Sequence, residues 1–246
     1  MSNNLDLHWY YGDQADVAQL SSAPDRIVIY THGYGVKWHS KRLFSDIAGH
    51  LAKQNIASAL FNLSDYDDKG NATFLPLSDQ QERLRSVLLR VKELYPIAEV
   101  TILGHSMGCG VIMTAYEMLD QMVDRYILLA PAVGAPGPRI YEGMSVREGA
   151  EVHEDGSVSF PRKDGTTSTF SHRYVQEFSA DFDEAYNQHL PQVKDLHIIL
   201  AEADQRSEQQ MKTFMDNGAV ILEGSDHNFE NDGHRAVSRS ILGVFQ

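Results

Sequence analysis

The 246-residue sequence predicts an α/β fold: a mostly parallel central sheet flanked by helices, with an inserted cap that contains a small β-meander. Three observations lead there. Short strand-like runs alternate with helix-like runs through most of the chain, the order produced when crossover helices cover both faces of a parallel sheet. These strand-like runs are apolar almost throughout and rich in β-branched residues, as strands buried on both faces are. Residues 134–190 alone break the alternation, over a length too great for a simple connection in a compact domain. The expected organisation is therefore one domain, with a core of residues 1–133 and 191–246 and a cap of residues 134–190.

Taken in order, residues 5–11 place Leu5, Leu7, Trp9 and Tyr11 on one side, which suits an antiparallel edge strand. Strands are then expected at Arg26–Thr31 and at residues 56–62, 99–103, 125–129, 196–200 and 219–222. Residues 78–95 are the clearest helix, because Leu84, Val87, Leu88, Val91 and Leu94 fall on one stripe at helical spacing. Ser78 and Gln81 have the spacing of a capping box at its start, and Pro96 stops it. A second helix is expected over residues 111–119. In the cap, Asp155-Gly156 and Asp164-Gly165 separate short alternating runs, the signature of hairpin turns in a meander.

Composition narrows the function. Lys and Arg number 21 against 34 Asp and Glu, a formal charge of −13, so nucleic acid and anionic membrane are poor partners. The N-terminus lacks a basic segment followed by an apolar run, and no run of apolar residues is long enough to span a bilayer. A soluble, cytoplasmic protein is expected. The single cysteine, Cys109, excludes an intrachain disulfide, and no Cys/His spacing suggests a zinc site.

The chemistry concentrates where strands end. Directly after residues 99–103 comes Gly104-His105-Ser106-Met107-Gly108, followed by an apolar helix-like run. A serine in G-x-S-x-G between a strand and a helix occupies a sharp turn that exposes its hydroxyl, and flanking glycines are needed because side chains there would strike the neighbouring strand and helix. Upstream, Arg26–Thr31 leads straight into His32-Gly33-Tyr34-Gly35. A glycine-bearing turn at that place can direct backbone N–H groups at a developing oxyanion. Tyr34 and Met107 are the expected N–H donors, with Gly33 and Gly35 as the loop glycines.

A serine hydroxyl needs a base within hydrogen-bond reach, and histidine is the usual one. Of the eleven histidines, His227 follows the last expected strand across the polar loop Glu223-Gly224-Ser225-Asp226. His105 adjoins the serine in sequence but on a turn that should direct it elsewhere, as a packed side chain. The carboxylate that orients the base should follow the preceding strand, which singles out Asp204 ahead of Glu202, Asp195 and Asp226. The chain order Ser106, Asp204, His227 is that of one triad lineage and not of the other serine protease folds.

With these motifs in order, the sequence resembles the α/β-hydrolase superfamily from about Arg26 to the C-terminus, apart from the cap. Within it, the sequence is similar to compact bacterial esterases of the cinnamoyl or feruloyl esterase kind. The resemblance is carried by His32-Gly33, the Ser106 elbow, Leu129-Ala130-Pro131-Ala132 and Leu222-Glu223-Gly224-Ser225-Asp226-His227. It departs from the pattern at Asn62-Leu63-Ser64-Asp65, where many members have an Asp and a Gly-His-Gly turn, and at Cys109, where a glycine often stands. The implied activity is hydrolysis of a small-molecule carboxylic ester through an acyl-enzyme on Ser106, without metal or organic cofactor. Thioesterase, amidase and carbon-carbon bond hydrolase chemistry use the same triad, and a non-catalytic receptor can keep the same fold. In the cap, Tyr141, Phe160, Phe170, Tyr174 and Phe178 are candidates for the wall of a substrate pocket above Ser106, with packing of cap onto core as the competing role.

Overall fold

A computed structural model describes residues 6–230 and 232–246. The chain enters through β1 (His8–Tyr11) and β2 (Gln14–Val17), then runs through β3 (Arg26–Thr31), α1 (Leu43–Ala52) and β4 (Ala57–Leu60). The short strands β5 (Asp65–Tyr66) and β6 (Ala72–Phe74) precede α2 (Leu77–Leu94) and β7 (Glu99–His105). Next come α3 (Met107–Thr114), α4 (Tyr116–Leu119), β8 (Arg125–Leu129) and α5 (Pro136–Ser145). The insertion continues with β9 (Glu151–Val152), β10 (Val158–Pro161), β11 (Thr167–Phe170), α6 (His172–Glu177) and α7 (Phe182–His189). The chain closes with β12 (Leu196–Ala201), α8 (Glu208–Asp216), β13 (Val220–Leu222) and α9 (Gly233–Val244).

Eight strands form the central sheet in the order β13-β12-β8-β7-β3-β4-β1-β2. All its pairs are parallel except those made by β1, which runs antiparallel to both β4 and β2. The strands β3, β4, β7, β8 and β12 are buried on both sides because each divides its side chains between two cores. In β3, Ile27 and Ile29 join the core under α2 and α3, while Val28 and Tyr30 join the core under α1 and α9. Period-2 side-chain direction therefore explains why the strand reads as apolar throughout.

Three local expectations are corrected. The strand expected at residues 5–11 is not the edge: β1 lies inside the sheet, with Trp9 opposite both Ala59 and Val17, and β2 is the edge strand. Leu5 lies outside the described residues. No capping box opens α2, whose N-cap is Pro76. The Ser78 N–H and hydroxyl instead donate to Glu177 of α6 at 2.8 and 2.7 Å, and Gln81 donates to Thr114, so cap and neighbouring helix take over the helix start. The helix expected at 111–119 begins at Met107 and breaks at Ala115. Thr114, whose hydroxyl donates back to the Gly110 carbonyl at 2.7 Å, ends the first segment, a contact that bends helices.

A second sheet has five strands in the order β5-β6-β11-β10-β9. The expected insertion supplies the antiparallel meander β9, β10 and β11, and both Asp-Gly sites are turns, with Gly156 and Gly165 at φ +77° and +85°. The other two strands come from the connection between β4 and α2, and β6 pairs parallel with β11. Helix α7 then seats on α3, where Phe182 occupies the space a side chain at Gly110 would take.

Candidate active site

Ser106 stands between the last residue of β7 and the first of α3, with φ +56° and ψ −121°. A non-glycine residue in this region is strained by about 1–3 kcal/mol and persists only where surrounding packing enforces it. The flanking glycines make room for that packing. A Cβ on Gly104 would lie 2.6 Å from the Ile112 side chain and 2.9 Å from the Cys109 N–H nitrogen, and one on Gly108 would run into the Thr31 carbonyl. A Cβ on Gly33 would meet the Ser106 Cβ at 3.1 Å, so the turn after β3 lies against the serine itself.

The Ser106 hydroxyl is 2.8 Å from His227 Nε2, and His227 Nδ1 is 2.8 Å from Asp204 Oδ1. In the neutral tautomer consistent with both contacts, Nδ1–H donates to the carboxylate and Nε2 accepts from the hydroxyl. His227 and Asp204 lie on adjacent loops after β13 and β12, and these loops are laced together. The Ala203 N–H donates to the Ser225 carbonyl, the Glu202 N–H to the Ser225 hydroxyl, and the Gly224 N–H to Glu202 Oε2 at 2.7 Å.

Two further histidines hold this arrangement without belonging to it. His105 is buried, and its Nε2–H donates to the His227 carbonyl at 2.8 Å. His32 is buried beside the glycine turn; its Nδ1–H donates to the Gly33 carbonyl at 2.9 Å, and its Nε2 accepts from the Leu63 N–H at 2.8 Å. Burial pushes the pKa of each down to about 4, so both are neutral at pH 7. His105 had been expected only to pack. Its bond to the His227 carbonyl, and that from the Leu63 N–H to His32, join residues far apart in the chain.

A cavity of about 240 Å³ opens on the serine, walled by Gly33, Tyr34, Val36, Ser40, Lys41, Leu43, His105, Ser106, His227 and Asn228. The Tyr34 and Met107 N–H groups donate to no protein acceptor among the described residues, and Gly35 beside Tyr34 has φ +71°.

None of the cap aromatics proposed for the pocket belongs to this wall. Phe160, Phe170, Tyr174 and Phe178 are buried against one another, with Tyr174 and Phe178 centroids 4.5 Å apart, and Tyr141 packs its ring edge-on to Phe170. The reason is the second sheet, which brings Phe74 of β6 against Phe160 and Tyr174 and closes the cluster over the core. The cap reaches the residues beside the serine through Arg162, which donates to the Gly35 carbonyl at 3.2 Å, and through the Tyr174 hydroxyl, which donates to Met107 Sδ at 3.6 Å.

The sequence signature of the family described as serine aminopeptidase, S33, matches residues 22–213. Among solved structures, the chain is similar to Est1E from Butyrivibrio proteoclasticus with ferulic acid bound, at 15% identity over 98% of this chain and 95% of that one, with a TM-score of 0.70. It is also similar to a structure reported for LipS and LipT, two metagenome-derived lipolytic enzymes, at 14% identity over 98% of both chains and a TM-score of 0.66. A third is XC6422 from Xanthomonas campestris, described as an α/β serine hydrolase without lid, at 16% identity over 98% of this chain and 90% of that one, with a TM-score of 0.60. No curated protein matches. The fold is the α/β-hydrolase fold.

Proposed function

The chain belongs to the serine aminopeptidase S33 family of α/β serine hydrolases, and from that premise we propose that it is a carboxylesterase with Ser106 as nucleophile, His227 as base and Asp204 as orienting acid. What carries this reading is the unbroken relay of two 2.8 Å contacts from hydroxyl to imidazole to carboxylate. Ser106 Oγ attacks the ester carbonyl as His227 Nε2 takes its proton. The carbonyl oxygen becomes an oxyanion, received by the Tyr34 and Met107 N–H groups, each such donor lowering the barrier by about 3 kcal/mol in sites of this kind. The tetrahedral intermediate collapses, the ester C–O bond breaks, and the imidazolium returns its proton to the departing alcohol. Water, deprotonated by the same imidazole, then attacks the acyl-enzyme and releases the acid.

The cavity suits a small acyl group, being below the usual size range of ligand pockets. Est1E with ferulic acid bound and the lipolytic LipS and LipT lend support to ester substrates. An aminopeptidase reading requires a negative group to receive the substrate's ammonium, whereas among the described residues this cavity wall carries Lys41 and no carboxylate. Labelling by a fluorophosphonate and turnover of short-chain nitrophenyl esters test the proposal. Ser106→Ala is expected to abolish labelling and to reduce turnover about a thousandfold or more with the fold intact. Ester turnover within about tenfold of wild type in that variant sinks the assignment of the nucleophile. A wild-type protein that turns over no ester, thioester or amide sinks the enzymatic reading.

A further inference from the structure

The acid of the relay has a second oxygen, and its partner is a buried cation. Arg206, two residues beyond Asp204, is 3% exposed in its side chain, and its Nη2 lies 3.1 Å from Asp204 Oδ2. The same nitrogen donates to the Pro131 carbonyl at 3.1 Å, and the guanidinium lies 5.4 Å from the Phe214 ring centroid. Its Nε is buried with no partner among the described residues, so the side chain is not placed to satisfy all of its own donors there.

These contacts close a ring. The Ala132 N–H donates to the Ser106 carbonyl at 3.1 Å, next to Pro131, which accepts from Arg206. Arg206 holds Asp204 Oδ2, Asp204 Oδ1 faces His227 Nδ1, and His227 Nε2 returns to the Ser106 hydroxyl. We infer that Arg206 is a positioning residue: by gripping the outer carboxylate oxygen and the loop after β8 together, it sets Asp204 against the serine turn so that Oδ1 faces His227. The inference rests on the triad reading above. A carboxylate held only through Oδ1 is free to rotate away from the imidazole, and outer partners of this kind orient a reacting group without touching substrate. An arginine suits the task because its planar fork presents two N–H groups in fixed directions.

A double-mutant cycle tests it, read as the nitrophenyl ester kcat and KM and as the rate of fluorophosphonate labelling. Arg206→Met, close in volume, is expected to lower kcat and labelling rate about tenfold or more with KM within about twofold. In an Asp204→Asn background, the same substitution is expected to change either rate less than about twofold, because the contact it serves is already gone. Arg206→Lys, which keeps the charge but not the fork, is expected to recover part of the loss, and it replaces Arg206→Met in the cycle if that variant does not fold. Equal losses in both backgrounds, or a variant indistinguishable from wild type, overturn the inference. An Asp204→Asn protein that itself keeps wild-type rates sinks the triad reading instead.

Discussion

Asp226 adjoins His227 in the chain, yet its Oδ1 accepts from the N–H groups of Asn228 and Glu230 and so serves the turn that carries the histidine. Glu202 is taken by the Gly224 N–H, and Asp195 pairs with Arg125 at 2.7 Å below the start of its strand. Only Asp204 of these four reaches the imidazole. Asp204→Asn is therefore expected to cost about a hundredfold or more in kcat/KM, since the amide can hold the wrong tautomer, while Asp226→Asn and Glu202→Gln stay within about tenfold of wild type. Steady-state kinetics on the three variants decide it, and a larger loss in either of the latter two reassigns the acid. That Ser106, His227 and Asp204 would meet was legible in the sequence because strand ends and loop lengths order them. Arg206, His105 and His32 were not legible as supports, since each acts through a contact that only the folded chain creates.

At the scale of elements, local chemistry was readable and distant partnership was not. Asp155-Gly156 and Asp164-Gly165 announced two turns because a residue pair is enough to favour them. The partner of β11 lies in β6, where Ser168 stands opposite Ala72, and no pattern within either strand names the other. The capping box at Ser78 misled for the same reason, because Glu177 from the insertion replaced the local acceptor. The aromatic residues of the cap follow from this geometry. Phe178→Ala is expected to lower unfolding free energy by about 3–5 kcal/mol, the usual cost of emptying a fully buried aromatic site. The ratio of rates on bulky aryl and small acetyl esters should stay unchanged, and denaturant unfolding beside those two assays checks both halves. A changed ratio at undiminished stability would return Phe178 to the substrate wall.

For the molecule as a whole, acid stability follows from two buried neutral histidines. His32 and His105 are held at about 4, below the ordinary value of 6.5, so between those limits the unfolded chain binds more protons than the folded one. Stability from these groups is complete above pH 6.5 and falls as pH drops towards 4, each contributing up to about 3 kcal/mol of that loss. Urea midpoints measured across the interval should fall with pH, and less steeply in His105→Gln; a midpoint constant or rising towards pH 4 contradicts this. The alternation of strands and helices made the central sheet readable, because each buried strand carries its own apolar signature. The joined second sheet has a consequence for the ancestry of this protein. Since β11 is hydrogen-bonded to β6, the inserted segment is not an independent module: a descendant without it would keep β6 paired to β5 on one side and bare its other edge, an invitation to intermolecular strand pairing.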